Sequence, residues 1–83
     1  MASRISYKSS VAGDLRRLDK PTARRILDKL ERVLSGNPDA GIPLTGEFRG
    51  LFKLRIGDYR VIYAKPAEGV LVLRIGHRKA VYR

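Results

Sequence analysis

The sequence predicts an α+β domain in which two N-terminal helices pack on one face of a small antiparallel sheet. Three observations support this fold class: an alternating apolar and polar segment at the start, two helical repeats after it, and strand-like segments rich in β-branched and aromatic residues in the second half. The element order is β-α-α-β-β-β, and 83 residues suffice for one domain, residues 1–83. The helices are expected to cover one face of the sheet and leave the other face open.

The first strand is predicted at residues 4–8, where Ile5 and Tyr7 alternate with polar side chains. Ser9 or Ser10 is expected to cap the first helix, since a hydroxyl can accept a hydrogen bond from a free amide of the first turn. The apolar face of this helix repeats at intervals of four and three residues, at Val11, Leu15 and Leu18.

The second helix has the clearest periodic pattern in the chain. Asp19 can cap its start, and Pro21 falls in the first turn, where a proline is tolerated. The opposite face carries charges of mixed sign and is interpreted as a solvated surface. Residues 35–43 hold two glycines and two prolines and are expected to form a loop. The apolar stripe of the helix consists of Ile26, Leu27, Leu30, Val33 and Leu34.

Three strands are predicted in the second half of the chain. Residues 51–55 and 59–65 flank a tight turn at residues 56–58, so they are expected to form a hairpin. Residues 66–69 provide another turn, and the apolar run at 70–77 is short enough to be a buried strand.

Alternation along these strands predicts which cationic side chains point away from the helices. In residues 51–55, Lys53 and Arg55 are expected to point outward because apolar residues alternate with them. In residues 70–77, Arg74 is expected to point outward because the inner positions are taken to be Leu71, Leu73 and Ile75.

The strand at residues 59–65 is compatible with two orientations. Its inner set is either Tyr59, Val61 and Tyr63 or Arg60, Ile62 and Ala64. The first set is favoured because burying an unpaired guanidinium is costly, so Arg60 is expected to point outward.

Composition excludes several classes of protein. Without cysteine there is no disulfide framework and no Cys-ligated zinc, and eight scattered carboxylates with one histidine suggest no metal or cofactor site. The sequence has neither the apolar run of a signal peptide nor that of a membrane span, so a cytoplasmic protein without membrane contact is expected. Binding of basic helices to an anionic membrane surface is the less favoured alternative.

The net charge of +10 favours an anionic partner, and most of it lies in the strands. Residues 49–83 hold nine Lys and Arg against two acidic residues, a net charge of +7. Arginines hold phosphates bidentately and an aromatic ring stacks on an unpaired base, so this set suits single-stranded RNA. The alternative is a basic face that is merely solvated. The outward set is Lys53, Arg55, Arg60, Arg74 and Arg78, with Tyr82 just beyond it.

Three segments resemble the RelE branch of the RelE/ParE toxin superfamily. They are PLTG at residues 43–46, FKLRIGDYRVIY at 52–63 and IGHRKAVYR at 75–83. The resemblance covers effectively the whole chain and agrees with its length, element order and charge.

This resemblance implies the toxin of a type II toxin–antitoxin pair. Such a toxin is an endoribonuclease that cleaves mRNA in the ribosomal A site, inhibits translation, and is silenced by a RelB-like antitoxin in a hetero-oligomer. A ParE-like inhibitor of DNA gyrase and a non-catalytic RNA-binding homologue remain as alternatives.

The resemblance also implies roles for individual residues. Lys53 matches a lysine proposed as base or charge stabiliser, Arg60 the arginine that holds the phosphate, Arg78 the arginine that acts at the leaving group, and Tyr82 the tyrosine that stacks on the substrate. Leu51 stands where the best-known members have a second lysine, so the general base stays open. The expected supporting residues for substrate binding are Arg55, Arg74, Lys79 and Arg83.

Cleavage would begin with attack of a ribose 2′-hydroxyl on the adjacent phosphate. Neighbouring arginines disfavour the protonated form of Lys53, which would help it accept that proton, and Arg78 is better suited to an electrostatic clamp than to proton donation. His77 shares the phase of Ile75 and is interpreted as a structural residue, with a reserve role as acid or base. Packing roles are expected for Tyr7, Tyr59 and Tyr63.

Overall fold

The computed structural model describes residues 4–77, which form two helices packed on a five-stranded mixed sheet. The elements are β1 (Ile5–Tyr7), α1 (Ser9–Arg16), α2 (Lys20–Gly36), β2 (Ile42–Pro43), a 3-10 turn (Gly46–Phe48), β3 (Leu51–Ile56), β4 (Tyr59–Ala64) and β5 (Val70–His77). The predicted α+β class and the order of the main elements are confirmed. No described helix is long and apolar enough to cross a membrane.

The strand order is β1-β5-β4-β3-β2, and the sheet departs from the expected antiparallel pattern at one place. β1 pairs with β5 in parallel, whereas β2·β3, β3·β4 and β4·β5 are antiparallel. The intervening helices and hairpin allow the two strands to run in the same direction, as a parallel pair requires a long connection. β2 is a two-residue strand inside the segment predicted as a loop.

The core lies between the helices and one face of the sheet. α2 presents its predicted stripe to the sheet, with Leu30 and Leu34 fully buried, and β4 contributes Val61 and Tyr63, both 0% exposed. The favoured orientation of β4 is therefore confirmed. Other members of the cluster are Val11, Ile26, Val70, Val72 and Ile75.

The two helix starts differ in how well they were predicted. Asp19 caps α2 as expected, because its carboxylate accepts from the Thr22 amide at 3.1 Å. The expected cap of α1 is wrong: Lys8 occupies the capping position without a side-chain hydrogen bond. Ser10 lies inside the first turn, and its hydroxyl donates to the carbonyl of Leu73 in β5 at 2.7 Å.

The orientation predicted for the first part of β5 is also wrong. Val70 and Val72 are the buried residues there, whereas Leu71 and Leu73 are only partly buried. Tyr63 pairs with Val72 while its neighbour in β4 pairs with Arg74, so Leu73 is an extra residue in the strand. This β-bulge resets the alternation, and the inner face continues at Ile75.

The hairpin between β3 and β4 closes through the two residues Gly57 and Asp58. Gly57 has φ 60°, and no non-glycine residue among those described has a positive φ. Gly57 at the first turn position therefore has a positive φ and Asp58 at the second does not. This combination matches a type II′ turn, which favours glycine at its first position. The turn thereby sets Arg55 directly opposite Arg60.

Candidate nucleic-acid interface

Three of the predicted cationic residues share the outer face of the β3–β4 hairpin. Arg55 and Arg60 are direct cross-strand partners, and Lys53 lies two residues before Arg55, opposite Ile62. Since Phe52 and Leu54 pack against the core, alternation turns Lys53 and Arg55 to the opposite face. We call Lys53, Arg55 and Arg60 the cationic cluster.

The cationic cluster lines a depression of ≈ 220 Å³. Its fourth lining residue is Ile42 of β2, which is 62% exposed. Lys53 and Arg60 are partly buried and Arg55 is exposed. No carboxylate belongs to the lining that the described residues form, so the depression presents three positive charges beside one apolar side chain.

The geometry of the hairpin keeps these charges together. The Nε of Arg55 donates to the carbonyl of Gly57 at 3.0 Å, which ties this guanidinium to the turn. Like charges directly opposite each other destabilise an antiparallel pair. An anionic ligand bound between Arg55 and Arg60 would offset that repulsion, which makes the cluster a candidate phosphate site.

Gly76 of β5 lies opposite Arg60 on the other side of β4. A glycine adds no side chain to the outer face at this point. Arg60 therefore has Arg55 as its cross-strand neighbour on β3 and a residue without a side chain as its neighbour on β5.

The side chain of Arg74 is bound by α1 and lines a different depression from that of the cationic cluster. Its Nε and Nη2 both donate to the carboxylate of Asp14 in α1 at 2.9 Å, and it lines another depression, of ≈ 260 Å³, together with Asp14, Arg17 and His77. The outward orientation predicted for Arg74 agrees with its pairing to Ile62, which alternates with the buried Val61 and Tyr63. The guanidinium nevertheless reaches α1, because the Asp14 carboxylate offers it a bidentate partner there. The role of Arg74 in substrate binding stays a prediction.

The Asp14 carboxylate is almost fully buried, with 8% exposure. Burial raises its pKa, but the hydrogen bonds from Arg74 and from the Ile75 amide, together with the charges of Arg74 and Arg17, lower the pKa overall. The carboxylate is therefore charged at neutral pH and holds the Arg74 guanidinium in a bidentate pair.

His77 lies at the end of β5, opposite Tyr59, and is exposed. The two rings meet edge to face with centroids 5.8 Å apart. His77 keeps the phase of Ile75, so it belongs to the helix side of the sheet and not to the side of the cationic cluster. Its reserve role as acid or base stays a prediction.

The tyrosines differ in their packing. Tyr63 is fully buried and Tyr59 is partly buried against the core, in line with the expected packing roles. Tyr7 is 37% exposed, and its hydroxyl donates to the Glu31 carboxylate of α2, so it joins β1 to α2 from the surface.

Four of the predicted site residues, Arg78, Lys79, Tyr82 and Arg83, lie outside the described residues. Their roles stay predictions. The described part of the chain contains no group of three acidic or histidine side chains that could hold a metal ion.

Sequence reasoning missed three residues at or near these surfaces: Ile42 at the rim of the depression, Gly76 beside Arg60, and Asp14. A signal for Asp14 was available, because it falls between Val11 and Leu15 on the apolar face of α1. A carboxylate at a core-facing position requires a buried donor. No comparable signal marked Ile42, whose location depends on the pairing of β2 with β3.

A family model described as the ParE toxin of a type II toxin–antitoxin system, parDE, matches residues 5–82. A Toxin RelE of Mycobacterium tuberculosis is 34% identical over 82 residues, which are 95% of this chain and 84% of that protein.

Solved structures of RelB–RelE complexes are also similar to this chain. The toxin–antitoxin complex RelBE2 of M. tuberculosis contains a chain with a TM-score of 0.87 and 27% identity, and the match covers 94% of this chain and 100% of that one. The RelE–RelB complex of Pyrococcus horikoshii OT3 matches with a TM-score of 0.72 and 27% identity, over 98% and 100% of the two chains.

Proposed function

Because the chain belongs to the RelE/ParE superfamily of type II toxin–antitoxin toxins, we propose that it is an endoribonuclease that cleaves mRNA in the ribosomal A site and so inhibits translation in the cytoplasm. The observation that carries this proposal is the cationic cluster on the outer face of β3 and β4, which lines a depression without a carboxylate among its described residues. Such a surface suits an RNA phosphate.

The proposed reaction needs no cofactor. The 2′-oxygen of a ribose attacks the adjacent phosphorus, its proton passes to a base, and the 5′-oxygen leaves and takes up a proton, which produces a 2′,3′-cyclic phosphate and a 5′-hydroxyl. Arg60, and with it Arg55, would stabilise the additional negative charge on the phosphate as the transition state forms. Lys53 would accept the proton or stabilise charge. Arg78 would act at the leaving 5′-oxygen, and Tyr82 would stack on a nucleobase of the substrate.

The ribosome has a physical role in this proposal. The cationic cluster consists of one lysine and two arginines, and arginine stays protonated at neutral pH. A catalyst with such weak acid–base groups gains most from a substrate that is already held in line for attack, since orientation contributes several kcal/mol. Ribosome-bound mRNA would meet this need.

The test is cleavage of mRNA on purified programmed ribosomes, with the ends mapped by primer extension. Arg60→Ala is expected to lower the cleavage rate about 10²- to 10³-fold, the typical cost of losing one donor to a developing oxyanion. Arg24→Ala, which removes the same charge from the exposed surface of α2, is the matched control and should cleave like the wild type. Equal activity of Arg60→Ala and Arg24→Ala would contradict the proposed site.

Lys53 allows a sharper distinction between its two proposed roles. Lys53→Arg keeps the positive charge but removes a group that can release its proton. Loss of cleavage in Lys53→Arg as well as in Lys53→Ala identifies a base, whereas activity retained in Lys53→Arg alone identifies an electrostatic role.

Inhibition of DNA gyrase is the second candidate function, because the matching family model describes a ParE toxin. A supercoiling assay with purified gyrase, run beside the cleavage assay, separates the two. Inhibited supercoiling with intact mRNA would replace the nuclease proposal. Ribosome stalling without cleaved ends would instead indicate a non-catalytic RNA-binding protein.

We also propose a RelB-like antitoxin as the partner in a hetero-oligomer. RelB–RelE complexes are among the structures that this chain resembles. A chain with a net charge of +10 is suited to a partner rich in Asp and Glu.

A further inference from the structure

The edge of β5 changes its partner halfway along the strand. β1 pairs with Val70, Leu71 and Val72 and then ends, and the Lys8 amide makes the last backbone contact, to the Val72 carbonyl at 2.9 Å. From Leu73 onward this edge of β5 is met by side chains of α1. The hydroxyl of Ser10 donates to the Leu73 carbonyl at 2.7 Å, and the Ile75 amide donates to Asp14 Oδ2 at 2.9 Å.

Ser10 and Asp14 are four residues apart in α1, so they lie on one face of the helix one turn from each other. Together they provide one donor and one acceptor to successive edge groups of β5, as a neighbouring strand would. Asp14 also holds the Arg74 side chain through two further hydrogen bonds. A single buried carboxylate thus receives three hydrogen bonds from two consecutive residues of β5.

These contacts surround the β-bulge. The extra residue of the bulge, Leu73, accepts from Ser10, and Asp14 binds the two residues that follow it. The register after the bulge decides which residue of β5 stands beside Arg60, and in the structure it is Gly76. A shift by one residue would place a side chain there, since Ile75 and His77 flank Gly76.

We propose that Asp14 is a positioning residue: through its hydrogen bonds to Arg74 and to the Ile75 amide, it holds the end of β5 in the register that keeps Gly76 beside Arg60 on the face proposed to bind RNA. Ser10 supports the same register. This inference rests on the proposed function, because its consequence is the rate of RNA cleavage.

The experiment is single-turnover cleavage with the full chain, with programmed ribosomes varied from below to above saturation. Asp14→Asn keeps an oxygen for the Ile75 amide but loses the charge that holds Arg74, so the saturating rate constant is expected to fall about tenfold or more. The half-saturating ribosome concentration should stay within about twofold, since no cation of the cluster is removed. Asp28→Asn, the same chemical change on the exposed side of α2, is the matched control.

The concentration of folded toxin is determined by antitoxin titration, so that rates refer to folded molecules. A merely structural role would lower the folded fraction and leave the rate per folded molecule unchanged, and this outcome overturns the inference. If Asp14→Asn does not fold, Ser10→Ala carries the same test with a smaller expected fall, because it removes a single hydrogen bond. Wild-type protein that does not cleave would contradict the proposed function, whereas active wild type with an equally active variant would contradict the positioning role alone.

Discussion

Tyr63 shows how one side chain connects the sheet to the loop that carries β2. Its ring is 0% exposed and stacks on Phe52 with centroids 5.5 Å apart. Its hydroxyl accepts from the Gly41 amide at 2.8 Å and donates to the Pro38 carbonyl at 2.9 Å. Burial raises the pKa of the Tyr63 hydroxyl, so it stays protonated and able to donate. Tyr63 therefore holds the loop that brings Ile42 to the cationic cluster.

Tyr63→Phe is expected to lower the free energy of unfolding by about 1–3 kcal/mol, because it leaves the Gly41 amide and the Pro38 carbonyl without their partner. Urea denaturation followed by circular dichroism measures the change. Tyr59→Phe is the control, since Tyr59 is only partly buried and meets His77 through its ring. An equal loss in both variants would show that the hydrogen bonds of Tyr63 contribute nothing.

Gly41 is required by the close approach of the loop to Tyr63. A Cβ at position 41 would lie 2.5 Å from the Tyr63 hydroxyl and 2.8 Å from the Lys53 carbonyl oxygen. The Lys53 carbonyl belongs to the backbone of β3 and cannot move aside easily. Gly41→Ala is therefore expected to destabilise the fold by about 1–3 kcal/mol, as overpacking does. Gly36→Ala, at the end of α2 where a Cβ meets nothing within 4 Å, should be neutral or stabilising. Urea denaturation followed by circular dichroism measures both variants.

At the level of secondary structure, α1 and β5 stabilise each other. α1 is too short at eight residues to be stable alone, and it is held by apolar packing of Val11 and by the contacts of Ser10 and Asp14 with the edge of β5. The helix in turn completes a sheet edge that β1 leaves uncovered. Each element therefore depends on the other for its hydrogen bonds.

This pairing predicts a dependence of stability on pH. Asp14 has a lowered pKa in the folded state, so it stabilises the fold above its unfolded pKa of about 3.9, and this contribution is lost as pH falls through the lower folded value. The melting temperature of the wild type should exceed that of Asp14→Asn at pH 7, and the difference should shrink below about pH 4. A difference that stays constant down to pH 2 would contradict a charged Asp14 in the fold.

In the whole molecule, the two faces of the sheet have separate tasks. One face holds the apolar core with both helices, and the other presents the cationic cluster. The net charge of +10 opposes the compact state through self-repulsion, and an acidic partner would relieve it.

The dissociation constant of the toxin–antitoxin complex is expected to rise about tenfold or more between 0.1 and 1 M KCl, because the Debye length falls from about 10 Å to 3 Å over this range. Isothermal titration at several salt concentrations measures it. The same series in sodium sulfate distinguishes screening from a general effect on apolar burial, which sulfate strengthens. An affinity independent of KCl would mean that apolar contacts, not charge, hold the antitoxin.

Local patterns were sufficient for most of the fold. The stripe on α2, the Asp19 cap and the Gly57-Asp58 turn depend on neighbours within a few residues, so spacing alone predicted them, and the cost of burying Arg60 selected the correct face of β4. These features also predicted that Lys53 and Arg55 alternate with core residues. The position of Arg78 and Tyr82 relative to this surface stays a prediction.

Contacts between distant segments decided the rest. The parallel pairing of β1 with β5 and the ion pair of Arg74 with Asp14 join residues about 60 positions apart in the chain. The bulge at Leu73 depends on how β5 pairs with the neighbouring strand β4. Strand alternation assumes an unbroken strand, and one inserted residue reverses it, which is why Leu71 and Leu73 were assigned to the wrong face. A sequence pattern reports what a segment prefers, whereas hydrogen-bond partners for a buried carboxylate or a strand edge exist only once the chain has folded around them.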